Sequence, residues 1–370
     1  MKMKSLAAAV SVAAMMTAAS AQADGLDTLP ENIRSVYSMV DSQIPVGASP
    51  LANFKAKKGP PWKIGYASTY AGNTWQATAL DEIVNKLAPA AKEAGLVSEL
   101  VVTQADFKDA VQIQQMRQMI DNDVDAIIIC CSNVTAFNPT IEYAWSKGVA
   151  VFAYSGYTTS PYSINVAANH MQGGFDMAKW LADEMGGKGN VVLVSGVPGT
   201  ASSDAFDSGA KKALEDYPDI KIIGEVAGKW TDQVAQTELQ KFLAINPAKV
   251  DGILTQAAQE NGVLNAMLQS GRPMVPITLG GEASAACYWR KNPDYIKTSF
   301  QLWPPADDME LMWHVMMRTL EGQGPKVQSI LVDPVKVTFD DLKKFMNEDC
   351  SVDSAEWLKV GAKGWGYDPS

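Results

Sequence analysis

The chain has 370 residues, with 31 Lys and Arg against 41 Asp and Glu, a formal charge of −10 at pH 7. So acidic a balance argues against a nucleic-acid partner, because binding phosphates requires a basic face. With 47% hydrophobic residues the chain can build more than one core, and its length favours two domains with a cleft between them.

At the amino terminus, Lys2 and Lys4 precede an apolar run from Leu6 to Ala19, which ends in Ala21-Gln22-Ala23. A charged n-region, an h-region and an A-x-A site predict a secretory signal over residues 1–23, cleaved after Ala23. The run is too short and too rich in Ala to span a bilayer, which takes about 20 apolar residues. Cleavage leaves 29 basic against 41 acidic residues, a charge of −12. Residues 24–61 read as a polar N-terminal extension, with a short helix near 31–39 and a Lys/Gly/Pro breaker at 55–61.

From Trp62 onward, short β-branched runs alternate with helical-period segments, the pattern of βαβ units on parallel sheets. Predicted strands lie at 63–67, 100–103, 126–130 and 149–154, with helices between them; the first helix carries Leu80, Ile83, Leu87 and Ala91 at three- and four-residue spacing. A second set follows a helix over 173–185, with strands at 190–195, 220–223, 252–255 and 276–279 and helices at 258–269 and 282–291. Two such sets predict an α/β protein with two doubly wound parallel-sheet lobes. Ligands of such sheets bind beyond the carboxyl ends of the strands.

Four cysteines would enter an oxidising compartment. Cys130 and Cys131 are adjacent, and neighbours on a strand point to opposite faces and bridge poorly. The expectation is therefore a Cys287–Cys350 disulfide that staples the C-terminal tail, with Cys130 and Cys131 packed as small buried residues or touching ligand. The two histidines, His170 and His314, stand in no metal-binding motif, so neither a metal nor another cofactor is expected. Dinucleotide, P-loop and nucleophile-elbow spacings are absent, which argues against an enzyme.

What the loops after the strands carry is a set of amides, carboxylates and indoles: Asn73, Trp75, Ser132, Asn133, Ser155, Asp204, Trp230, Gln256, Gln259, Glu282 and Gln301. Flat aromatic faces cover the C–H faces of a sugar, while amides and carboxylates satisfy its hydroxyls. Alternative readings make Trp75 and Trp230 core residues and Asp204 a helix cap.

In this order of motifs the chain resembles the ribose-binding-like branch of type I periplasmic solute-binding proteins that feed ABC importers. Asn73-Thr74-Trp75-Gln76 matches the family's N-x-aromatic-aromatic segment, with Gln76 in place of the second aromatic. Cys130 to Asn133, Gly196 to Thr200, Trp230, Gln256 to Gln259, Gly280-Gly281-Glu282 and Gln301 to Pro304 follow in the family's order. The resemblance implies a three-stranded hinge near 167–169, 301–304 and 333–335. It divides the chain into a first lobe of 62–167 with 303–333, and a second of 168–302 with 334–370, the C-terminal tail included.

It also implies a monomeric periplasmic receptor for a small sugar or polyol, closing around its ligand and delivering it to a membrane permease and its ATPase. The rival is a sensor of the same fold, serving a chemoreceptor or a histidine kinase. Ser155-Gly156 stands where ribose-type members carry Asp-Arg, and Asp204 where they carry an Arg. Both departures remove cations, so a pocket more acidic than the family pattern is expected, and a cationic ligand is a further alternative.

Overall fold

The structure, a computed structural model, describes residues 26–70, 72–130, 133–301 and 304–358. The signal over 1–23, Cys131, Ser132 and the side chain of Gln301 lie outside them. A parallel six-stranded sheet runs in the order β10-β5-β4-β3-β1-β2, built from β1 (Trp62–Ser68), β2 (Val97–Gln104), β3 (Ala126–Cys130), β4 (Ala150–Tyr154), β5 (Ser163–Ala168) and β10 (Ser329–Val332). A second parallel sheet has the order β7-β6-β8, from β6 (Lys188–Ser195), β7 (Asp219–Ala227) and β8 (Gly252–Thr255). The antiparallel pair β9 (Thr298–Gln301) and β11 (Val335–Thr338) adjoins it.

Alternation along the central strands sends successive side chains to opposite faces. Ile128, Phe152 and Tyr154 pack with Met309, Met312 and Met316 of the helix Pro305–Leu320. Ile127, Ile129 and Val151 pack with Met116, Met119 and Ile120 of the helix Asp109–Asp121. Coverage on both faces explains why β3 and β4 are continuous apolar runs. The second half has its own core, in which Val192, Val194, Leu239, Val263 and Trp289 meet.

Three strands differ from the sequence expectation for identifiable reasons. Residues 276–279 form only an isolated bridge, Ile277 to Ile253. Pro276 has no N–H, and the Thr278 hydroxyl rather than a backbone carbonyl takes the N–H of Thr255 at 2.7 Å. The unexpected β5 and β10 carry buried Ser163, Asn165 and Ser329, which look like loop residues in sequence. Asn165 Nδ2 donates to Ser329 Oγ at 2.9 Å, and its amide also pairs with the backbone of Thr158. The first helix of the first half starts at Thr74 and widens into a π turn over Ile83–Leu87. The widening falls just before Pro89, whose ring would crowd a carbonyl in that turn of a regular helix.

The chain changes halves between Ala168 and His170, between Gln301 and Pro305, and between Val332 and Val335. The extension before Trp62 lies along the first half and this hinge. Leu51 and Phe54 enter the first core, and the carbonyls of Val36 and Met39 each accept from Asn169 Nδ2 at 2.9 Å. Cys287 and Cys350 are joined in a disulfide that ties the tail to the helix Ala283–Lys291. Among the described residues Cys130 is free and buried, and no helix is long and apolar enough to cross a membrane.

Candidate functional site

A cavity of about 120 Å³ lies between the halves, beyond the carboxyl ends of the strands. One water needs only about 10–15 Å³ of such space, so the cavity is of ligand size. Of the residues singled out in sequence, Asn73, Trp75, Gln76, Ser155, Trp230 and Gln256 line it, as does Cys130, which the sequence left as either packed or touching ligand; Thr69, Tyr70, Phe107, His170 and Asp308 are further lining residues that the sequence did not mark as ligand contacts. Among the described residues the lining contains no lysine or arginine.

From the first half, Asn73 caps the helix Thr74–Glu82 by accepting from Gln76 N at 2.8 Å. That cap places Trp75 on the first turn, its ring stacked on Tyr154 with centroids 5.5 Å apart and planes 23° from parallel. Gln76 donates to the sulfur of Cys130 at 3.3 Å, while its buried Oε1 has no hydrogen-bond partner. Tyr70 and Phe107 stack with centroids 4.6 Å apart and add a second aromatic face.

From the second half, Trp230 is held by polar contacts. Its indole N–H donates to Gln256 Oε1 at 2.8 Å, its backbone N–H to Gln259 Oε1 at 2.8 Å, and its carbonyl accepts from Asn73 Nδ2 at 3.2 Å. A Cβ on Gly196 would lie 2.2 Å from the indole, so only glycine leaves room for this ring. Lys229 and Trp230 have φ of 56° and 52°, a left-handed backbone unusual outside glycine. Phe107, Ser155 and Ala258, all on the cavity wall, also have positive φ. Such strain persists where surrounding contacts over-determine it, as at ligand clamps.

Gln256 lines the cavity but acts on protein. Its amide donates to Ser203 and to Asp207 Oδ1 while its oxygen holds Trp230. Asp207 is pushed above the usual carboxylate range by burial.

Two residues expected to contact ligand lie outside this lining. Asp204 lies outside the cavity lining, in the first turn of the helix Ala201–Leu214, and its carboxylate accepts from Gly199 N at 3.0 Å to close the preceding loop. Glu282 is buried beside the cavity rather than in its wall, accepting from Asn261 N at 3.0 Å and from Thr74 Oγ1 at 3.3 Å. Burial, with Glu260 and Asp232 close by, pushes its carboxyl well above the usual range.

The carboxylate in the wall is instead Asp308, 1% exposed, on the first turn of the helix Pro305–Leu320. In sequence it reads as an acidic residue at a helix start, where the dipole alone would account for it. His170, the first residue of the helix after the first hinge crossing, hydrogen-bonds the backbone of Ser155, and its buried Nε2 has no partner. Burial lowers its pKa to about 4. The neutral ring therefore donates through Nδ1 and presents Nε2 as an acceptor.

The halves touch beside the cavity through Asn73 and Trp230, through Thr74 and Glu282, and through Ser202 Oγ donating to the carbonyl of Ser155 at 3.4 Å. Two α/β halves are thus joined by three crossings, with a cavity walled by both. Residues 64–324 match the model of the periplasmic binding protein domain family, and the chain belongs to that family. It is similar to the xylitol-binding protein of Mycolicibacterium smegmatis, 28% identical over 205 residues, 55% of this chain and 59% of that one. It is also similar to the galactofuranose-binding protein of Escherichia coli, 25% identical over 188 residues, 50% and 57% of the two chains. The match thus spans less than two thirds of the length of these curated relatives. The crystal structure of an ABC transporter solute-binding protein from Thermobispora bispora shares the fold, with a TM-score of 0.70 and 24% identity over 77% of this chain and 87% of that one.

Proposed function

We propose that this chain is the substrate-binding component of an ABC importer, exported to the periplasm, which captures a neutral sugar or polyol between its halves and presents the closed form to a membrane permease and its ATPase. It acts as a monomer and performs no chemistry on its ligand. The observation that carries this reading is the wall itself: aromatic faces from both halves, side chains with acceptor atoms at Gln76, His170 and Asp308, and, among the described residues, no lysine or arginine. Acceptors call for a ligand rich in donors, and hydroxyls on a C–H framework that stacks on indole meet that need. A wall with a carboxylate and no cation disfavours sugar acids and sugar phosphates. The names of the xylitol- and galactofuranose-binding relatives point to the same ligand class.

A thermal-shift screen of pentitols, pentoses and branched sugars, with xylitol first, tests the reading. Ligand binding only to the folded form must raise Tm, by an amount that grows with concentration above Kd. Trp230→Ala is expected to abolish the shift at the same concentration. A screen in which only amines or amino acids stabilise the protein would overturn the sugar reading and assign Asp308 to a cationic ligand.

A further inference from the structure

The C-terminal tail reaches across the cleft. After Cys350 it returns along the second half, where Glu282 and Trp357 form an antiparallel bridge, Ala283 N donates to Glu356 O at 2.9 Å and Leu358 N to Gly281 O at 3.0 Å. Trp357, 6% exposed, then donates its indole N–H to Thr74 Oγ1 on the first half at 3.2 Å. The same hydroxyl donates to Glu282 Oε1 at 3.3 Å. A hydroxyl supplies one donor and accepts elsewhere, so Thr74 satisfies both partners at once. Thr74 is the residue between Asn73, which caps the helix and holds the carbonyl of Trp230, and Trp75, which walls the cavity.

We propose that the tail is a latch between the halves and that Trp357 is a positioning residue for ligand binding. Tied to the second half by the Cys287–Cys350 disulfide, it grips the helix that carries Trp75 and holds the halves together before ligand arrives. The disulfide gives the latch a fixed base, because the tail that follows Cys350 cannot leave the helix Ala283–Lys291. A contact present only in the closed arrangement shifts the opening equilibrium toward closure, and apparent affinity rises with the closed fraction.

The test is a double-mutant cycle on the full chain with Trp357→Phe, which keeps a ring and removes the N–H, and Thr74→Val, which keeps the volume and removes the hydroxyl. Small-angle scattering of the ligand-free protein reads the opening directly. Each single variant is expected to raise the radius of gyration. The double variant should go no further than Thr74→Val alone, which already removes the Trp357 contact together with the Thr74–Glu282 hydrogen bond. Freeing the tail by Cys350→Ser should open the protein as well. For xylitol, each single variant is expected to weaken binding by roughly two- to tenfold, the range for one net hydrogen bond. Unchanged scattering in Trp357→Phe, or a double variant that opens further than Thr74→Val alone, would overturn the latch. Thr74→Val lies outside the tail and its packing, so its result stands even where Cys350→Ser unfolds. Scattering uses no ligand, so a failure of xylitol to bind counts against the proposed ligand class and leaves the latch to be judged by its own readout.

Discussion

Trp75 and Trp230 wall the same cavity from opposite halves, yet the chain holds them by different physics. Trp75 rests on Tyr154 through ring stacking, on a helix whose start is set by the Asn73 cap. Trp230 sits on a left-handed backbone, with its indole N–H, amide and carbonyl all hydrogen-bonded and Gly196 beneath its ring. Stacking is tolerant of small displacements, because its energy spreads over many weak atom pairs. A polar network that also holds strain is not, since losing one partner leaves others buried and unsatisfied. The first-half wall is therefore expected to adapt to related ligands, and the second-half wall to select among them.

The largest expected effect lies at the hinge that joins these walls. His170 titrates near 6.5 when unfolded and about 4 when folded, so on acidification the unfolded chain takes up the proton first. Its contribution is full above pH 6.5 and is lost as pH falls toward 4, at most about 3 kcal/mol. Asp333, pushed up to about 6 by burial and by Asp176, has the opposite slope: its contribution is full below pH 3.8 and lost as pH rises through 6. Wild type and His170→Gln share that term, so the difference between their denaturant midpoints at pH 7 and pH 4 isolates His170. Parallel curves would show that the imidazole is not held neutral.

Gly196→Ala tests the rigid wall. The new methyl cannot coexist with the indole where it stands, and overpacking of this kind costs about 1–3 kcal/mol. A loss of xylitol affinity of at least about tenfold is expected in calorimetry, equivalent to about 1.4 kcal/mol. Binding at wild-type strength would mean that the pose of Trp230 is irrelevant to the ligand. The smallest effect belongs to Trp75→Phe, which keeps a ring over Tyr154 and should change affinity within about threefold, less than 1 kcal/mol. A loss as large as that of Gly196→Ala would erase the contrast between the two walls.

How far the site was legible follows from how each residue declares itself. Trp75 and Trp230 stood out as large aromatics in loops at the strand ends, and both line the cavity. Asp204 stood out as a carboxylate where the resembled family carries an Arg, but its Oδ1 is taken up five residues away, by the N–H of Gly199. Asp308 and His170 were passed over because each sits at a helix start, where a local role for an acid or a polar residue is the ordinary expectation. Strands β5 and β10 were hidden for a related reason: Asn165 finds its partner Ser329 only across 164 residues of chain.

The sequence by itself determined what depends on near neighbours. That includes the two sets of alternating α/β units, the apolar strands β3, β4 and β8, and the ends of strands where a ligand would lie. It also narrowed the disulfide to Cys287 and Cys350, because the other two cysteines are adjacent. Only the tertiary structure decided which polar groups were left without a partner, and which were consumed by the protein itself. Gln256, Asp204 and Glu282 are spent on Trp230, Gly199 and Thr74, while the buried Gln76 Oε1 and His170 Nε2, on residues of the cavity wall, are left without a partner. The reason is that a hydrogen-bonding group is satisfied by whatever folding brings within about 3 Å of it: for Asp204 that is a loop five residues away, for Gln256 a loop 26 residues away, and for Glu282 the opposite half.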